Sequence, residues 1–236
     1  MNVFVSGGRS GAIQAAQRRR VAIDVDALRA GATTASLFHY GVREIIVVED
    51  VEAGFSERER HPGSWLAGER GGLAVPGFDL GNSPLQGPLA ALPEIIVFSS
   101  SNMSRCCVGA ASCPATLLGT LPTLTACAQL ALQTAAHLQA DIQLVPAGSA
   151  LDENKLVLED YITCGALIEQ MIRETHQRDG VTVVLVTHNI FQAKRLATRA
   201  MLLLDGELIE EGEASQFFGA PRDPRTARFL AGEMTY

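Results

Sequence analysis

Three stretches of this chain combine carboxylate, guanidinium and hydroxyl groups at points where an apolar run gives way to a loop. The first is Asp24-Val25-Asp26 followed by Arg29, Thr33 and Thr34. Aspartates leaving a strand suit a hard cation such as magnesium, and an arginine near a helix start suits phosphate or another oxyanion. The same residues would also serve as an aspartate N-cap beside a surface arginine. The second stretch sets Glu69 and Arg70 among Gly68, Gly71 and Gly72, then Asp79 and Asn82 around Gly77 and Gly81. Charges set among glycines are poor core material and good ligands, because backbone approaches there without side-chain obstruction. The third is Ser99-Ser100-Ser101-Asn102, then Ser104 and Arg105. Successive hydroxyls and N–H groups cradle an oxyanion, although a polar turn would use the same residues. Glu159 and Asp160 open a helical stretch as a fourth, weaker feature, for which the helix dipole is a sufficient account.

The elements that must carry these groups alternate. Val21–Asp26, Glu44–Val48, Glu94–Ser99, Ala115–Leu118 and Ile142–Val145 read as strands. Leu28–Tyr40, the charged stretch through Arg60, and Thr123–Ala140 read as helices between them. The strands are continuous apolar runs without in/out alternation, the pattern of a sheet covered on both faces. The expected fold is therefore an α/β layered, mostly parallel sheet with helices on both faces, its site in the loops at the strand C-terminal ends. Residues 61–93 lack clear periodicity and are rich in glycine and proline, so they read as a long ordered functional loop.

With 236 residues, 47% hydrophobic and 19% charged, the chain is large enough for one sizeable domain or two small ones. A net charge of −7 argues against a nucleic-acid binder. The short run Arg18-Arg19-Arg20 reads as a solvated helix end. Cys106, Cys107, Cys113, Cys127 and Cys164 form no CxxC pair, which fits reduced thiols in a cytoplasmic protein. No apolar run is long enough to cross a bilayer, and the N-terminus does not read as a secretory signal.

Several segments resemble the 2-phosphosulfolactate phosphatase family. They are VDALRAGATT at 25–34, GVREIIVVEDVEA at 41–53, GERGGLAVPGFDLGNSP at 68–84, FSSSNMSRC at 98–106, LVPAGS at 144–149 and LEDYITCGALI at 158–168. The resemblance covers residues 1–170. It implies a magnesium-dependent α/β phosphatase acting on a small sulfonated phosphomonoester, with release of phosphate and 3-sulfolactate on the route to coenzyme M. Carried onto matching positions, it implies Asp26, Glu69 and Asp79 for metal binding or water activation. Arg29, Arg70, Asn82, Ser100, Asn102 and Arg105 are then the candidates for substrate anions. Met103 stands where the family has glycine, a cost of about 1 kcal/mol if that position needs a positive φ. Gly119-Thr120-Leu121-Pro122 departs from the family pattern as well.

From about residue 171 the chain instead resembles the C-terminal end of an ABC-transporter ATPase. GVTVVLVTHN at 180–189, MLLLDGELIEEG at 201–212 and the final FLAGEMTY carry that likeness. It would make His188 a γ-phosphate sensor, whereas a histidine capping a buried strand is the plainer reading. ATP hydrolysis needs a GxxxxGK[ST] loop, and the sequence contains none. The tail is expected to supply a strand at Val181–Val186, a helix through Arg199 and a hairpin at Asp205-Gly206, packed on the phosphatase sheet. The expected function is thus a phosphomonoester hydrolase with Mg²⁺, of activity impaired by the atypical C-terminus, a small anionic substrate and no nucleic-acid or membrane partner. The symmetric homodimer is the commonest assembly for such an enzyme. An ATP-binding subunit of an oxyanion transporter and a non-catalytic interaction protein are the alternatives.

Overall fold

A computed structural model describes residues 1–89, 91–150, 152 and 155–233, the side chains of 87–89 excepted. Two compact units, Met1–Glu174 and Thr175–Tyr236, divide the chain. In order, the first contains β1 (Val3–Val5), α1 (Gly8–Gln17), β2 (Val21–Val25), α2 (Ala30–His39), β3 (Glu44–Val47), α3 (Val51–Arg60) and β4 (Trp65–Gly68). After a 3-10 turn at Pro84–Leu89 come β5 (Ile95–Ser99), α4 (Met103–Gly109), β6 (Ala115–Gly119), α5 (Leu124–Leu138) and β7 (Ile142–Pro146). The helix α6 (Leu158–Asp179) runs across the boundary between the units.

Every strand pair of the first unit is parallel, but the strands form two sheets, ordered β1-β7-β2-β6 and β3-β5-β4. All five residues of β2 and of β7 are buried, so the apolar runs do mark strands covered on both faces. The two faces of β2 divide by the strand's period of two. Val21, Ile23 and Val25 pack with Ala128, Leu132 and Leu167 of α5 and α6. Ala22 points the other way, to Ala12 and Ala15 of α1 and Cys106 of α4. A third cluster joins Ala30 and Leu37 of α2 to Ala67, Ile96 and Phe98 of the smaller sheet.

Two features differ from expectation. β4 lies inside the stretch read as a loop; only four residues long and ending in glycine, it shows no period, yet Leu66 and Ala67 are fully buried. Met103 is the first residue of α4, buried and helical and absent from the residues with positive φ, so it carries no left-handed strain. The apolar side chain instead joins Phe98 in the third cluster.

The second unit holds α7 (Ile190–Leu196), β8 (Arg199–Leu204), β9 (Glu207–Glu213), α8 (Ala214–Gly219) and α9 (Pro224–Leu230). β8 and β9 form the expected antiparallel hairpin, with Asp205 (φ 50°) and Gly206 (φ 82°) at the turn. They make a two-stranded sheet of their own, not an extension of a parallel sheet. The expected strand at Val181–Val186 does not form. Those residues are exposed and outside any ladder, and exposed His188 caps no buried strand. Inside this unit Glu210 accepts from the backbone N–H groups of Arg222 and Asp223 at 2.9 and 3.0 Å, and these bonds hold its carboxyl down at about 2.

Candidate functional site

Because the strands run parallel, their C-terminal ends deliver Asp26 after β2, Glu69 after β4, Ser100 after β5 and Ala147 after β7. Asp26 is buried, and its Oδ1 accepts from the Ala30 N–H at 3.0 Å at the start of α2. Burial pushes its carboxyl up to about 7, and the neighbouring charges of Asp160 and Glu69 add to the shift. Asp24, two residues earlier, is completely buried and raised well above the ordinary carboxylate range, chiefly by burial. The Cys107 thiol donates to its Oδ2 at 3.1 Å, while its buried Oδ1 has no partner.

Asp160 reaches this group from the first turn of α6. Its two oxygens accept from Ala27 N–H at 2.9 Å and Gly148 N–H at 3.1 Å, tying the end of β2 to the loop after β7. Its position in sequence signals only a helix start; the contact with β2 spans 133 residues and has no local signature.

Glu69 organises the glycine loop. Oε1 accepts from Ser101 N–H at 2.7 Å; Oε2 accepts from Gly72 N–H at 2.6 Å and Ser101 Oγ at 3.2 Å. Arg70 donates from Nη2 to the Glu49 carbonyl (3.0 Å) and Ser99 Oγ (2.6 Å), and from Nη1 to the Glu69 carbonyl (2.7 Å). These two residues bind the ends of β3, β4 and β5 to one another. Arg29 is exposed and donates to the Gly72 carbonyl at 3.3 Å, beside the same loop.

Asp79 lies elsewhere. Its Oδ2 accepts from Leu66 N–H at 2.8 Å and from Arg58 at 3.0 Å. Leu66 precedes Glu69 by three residues, so Asp79 is anchored roughly 10 Å back along the strand direction. The expectation that Asp26, Glu69 and Asp79 form one metal-ligand set is therefore corrected. Among the described residues no group of three or more His, Cys, Asp or Glu side chains is placed to hold a metal ion. What would fit magnesium is narrower: one carboxylate, Asp26, with the charges of Asp160 and Glu69 near it that a cation would relieve. Magnesium needs only one or two carboxylates when substrate phosphate and water complete its octahedron.

Ser100 is buried and spent locally: its N–H donates to Ser104 Oγ at 2.8 Å and the two hydroxyls lie 3.3 Å apart. Asn82 is buried with an unpartnered Oδ1. Asn102 and Arg105 meet the loop after β7, where Asn102 Oδ1 accepts from Ala150 N–H at 2.8 Å and Arg105 Nη1 donates to the Ala150 carbonyl at 3.4 Å. Both line a small cleft with Gly8, Arg9, Ala147 and Ser149. Cys106 also lines it, its thiol donating to the Ala147 carbonyl at 3.7 Å. Burial raises its pKa most, Asp24, Asp26 and Asp160 add to that, and Arg105 opposes them. None of the five cysteines is in a disulfide.

Parallel strands flanked by helices, with acids, arginines and a glycine loop gathered at the strand C-terminal ends, define an α/β protein of the class that places its site there. The 2-phosphosulpholactate phosphatase pattern matches residues 10–207, and the chain belongs to that family. It is 32% identical over 169 residues to a probable 2-phosphosulfolactate phosphatase of Deinococcus radiodurans, covering 70% of this chain and 68% of that protein. It is 29% identical over 191 residues to a protein so described from Thermus thermophilus, covering 78% and 77%. A shorter segment of 82 residues is 44% identical to the phosphate import ATP-binding protein PstB 2 of Mycobacterium tuberculosis, covering 35% of this chain and 28% of that one. The family match runs on to residue 207. No described helix is long and apolar enough to cross a membrane.

Proposed function

We propose that the chain hydrolyses a small, multiply anionic phosphomonoester, 2-phospho-3-sulfolactate being the substrate favoured by the family, to the alcohol and inorganic phosphate. The observation that carries this reading is the placement of Asp26, crowded by Asp160 and Glu69, on the same side as the cleft of Asn102 and Arg105. Asp26 would hold magnesium, whose positive charge would offset the negative charge developing on the phosphoryl oxygens. Arg29 and Arg105 attract and orient the substrate's acid groups. Glu69 and Arg70 act on the scaffold, fixing the backbone of residues 69–72 against the β5 end. Asp160 keeps the β2 and β7 ends at a fixed separation.

The test is phosphate release from 2-phospho-3-sulfolactate with magnesium and with a chelator. Release with the metal, and a loss of about 100-fold or more in Asp26→Asn, is the expected result. Release unaffected by that substitution would overturn the site. The transporter reading rests on the 82-residue likeness alone. Without a phosphate-wrapping loop in the sequence, no ATP turnover is expected in the same assay.

A further inference from the structure

We propose that Arg9 determines substrate specificity: with Arg105 it binds the acid group of the phosphomonoester that is not transferred, its carboxylate or its sulfonate. The inference rests on the phosphatase reading above. Arg9 sits in the first turn of α1, and its side chain lines the same cleft as Asn102, Arg105 and Ser149. Two arginines line this one small cleft, and paired guanidinium groups suit an oxyanion. Part of Arg9 is already committed, since Nη2 pairs with Glu49 Oε2 at 3.3 Å, and this contact orients the group. Its Nε, by contrast, is buried with no hydrogen-bond partner. A buried guanidinium donor left unmade is costly, and a bound anion would satisfy it. The acids lie beside the cleft: Ala147, which lines it, donates its N–H to the carbonyl of Val25, the neighbour of Asp26, at 2.9 Å, and Gly148 N–H donates to Asp160 at 3.1 Å. A phosphoryl group held at Asp26 would therefore leave a second acid group of the same small molecule to the arginines.

Arg9 Cγ lies 3.5 Å from the point a Cβ on Gly109 would occupy, so the stem also packs against α4. Arg9→Met keeps that stem and removes the charge; Arg9→Lys keeps the charge and removes the planar fork. KM and kcat would be measured on 2-phospho-3-sulfolactate, on 2-phospholactate without the sulfonate, and on phosphoisethionate without the carboxylate. The expected result for Arg9→Met is a KM raised about tenfold or more on the full substrate with kcat nearly unchanged, the size expected for a charge-assisted hydrogen bond. That increase should vanish on whichever analogue lacks the bound group, and Arg9→Lys should recover part of it. An unchanged KM, an equal rise on all three substrates, or a loss confined to kcat would overturn the proposal. Should wild-type protein release phosphate from none of them, the phosphatase reading fails, and calorimetry with 3-sulfolactate decides this proposal by itself. Weaker binding by Arg9→Met than by wild type supports it, and equal or absent binding overturns it.

Discussion

Asp26 shows how one residue carries both a function and a cost. In an unfolded chain its carboxyl ionises near the ordinary 3.8; in the fold it ionises at about 7. Between those values the folded state retains a proton that the unfolded state has released, so stability falls as pH rises through that window. Asp26→Asn should therefore stabilise the protein while abolishing phosphate release. Urea denaturation should show no gain near pH 3.8, a growing gain up to about pH 7 and a constant one above. Across that window the gain should grow by roughly 1.4 kcal/mol for each step of one in pH. Glu69→Gln should act on stability in the opposite direction, because the Glu69 carboxylate accepts from two backbone N–H groups and a hydroxyl. The substitution turns an NH₂ toward one of those donors, and a loss of about 1–3 kcal/mol in the same measurement is expected.

At the level of elements, β4 and its exit set the position of the glycine loop. Gly68 has φ +140°, and a Cβ there would collide with the Ser99 carbonyl oxygen of the paired strand. Gly68→Ala is expected to cost about 3 kcal/mol or more, read as a lower urea midpoint, because backbone on both strands has to move. This element was also the least legible in the sequence. β2 and β7 announce themselves by five consecutive buried positions each, whereas β4 is four residues ending in the glycine its neighbour demands. The helices α2, α3 and α5 follow their sequence pattern to within a few residues. The site was legible as segments and less so as a constellation. Glu69 adds a small part to the shift of the Asp26 carboxyl, whereas Asp79 turns back to Arg58 and Asp160 is the larger charge near Asp26. Such exchanges are decided by contacts over long sequence separation, which no local pattern encodes. Arg9 carries no motif at all; only its place in the cleft gives it meaning.

Over the whole molecule, the buried apolar residues are concentrated in the first unit. All three core clusters lie between Ala12 and Met171, and among the described residues of the second unit only Leu202 and Phe217 are buried apolar side chains. Amide hydrogen exchange should accordingly be slowest in β2 and β7 and much faster in β8 and β9. Fast exchange throughout the first unit would contradict the packing described. Val181–Val186 has a further consequence. Val184 is 81% and Val186 93% exposed, in a β-prone run with no charge and no proline. Such a run is a template for its own kind, so self-association of the chain is expected to start at these six residues. A single gatekeeper lysine, Val184→Lys, should delay light scattering in concentrated samples and leave phosphate release untouched.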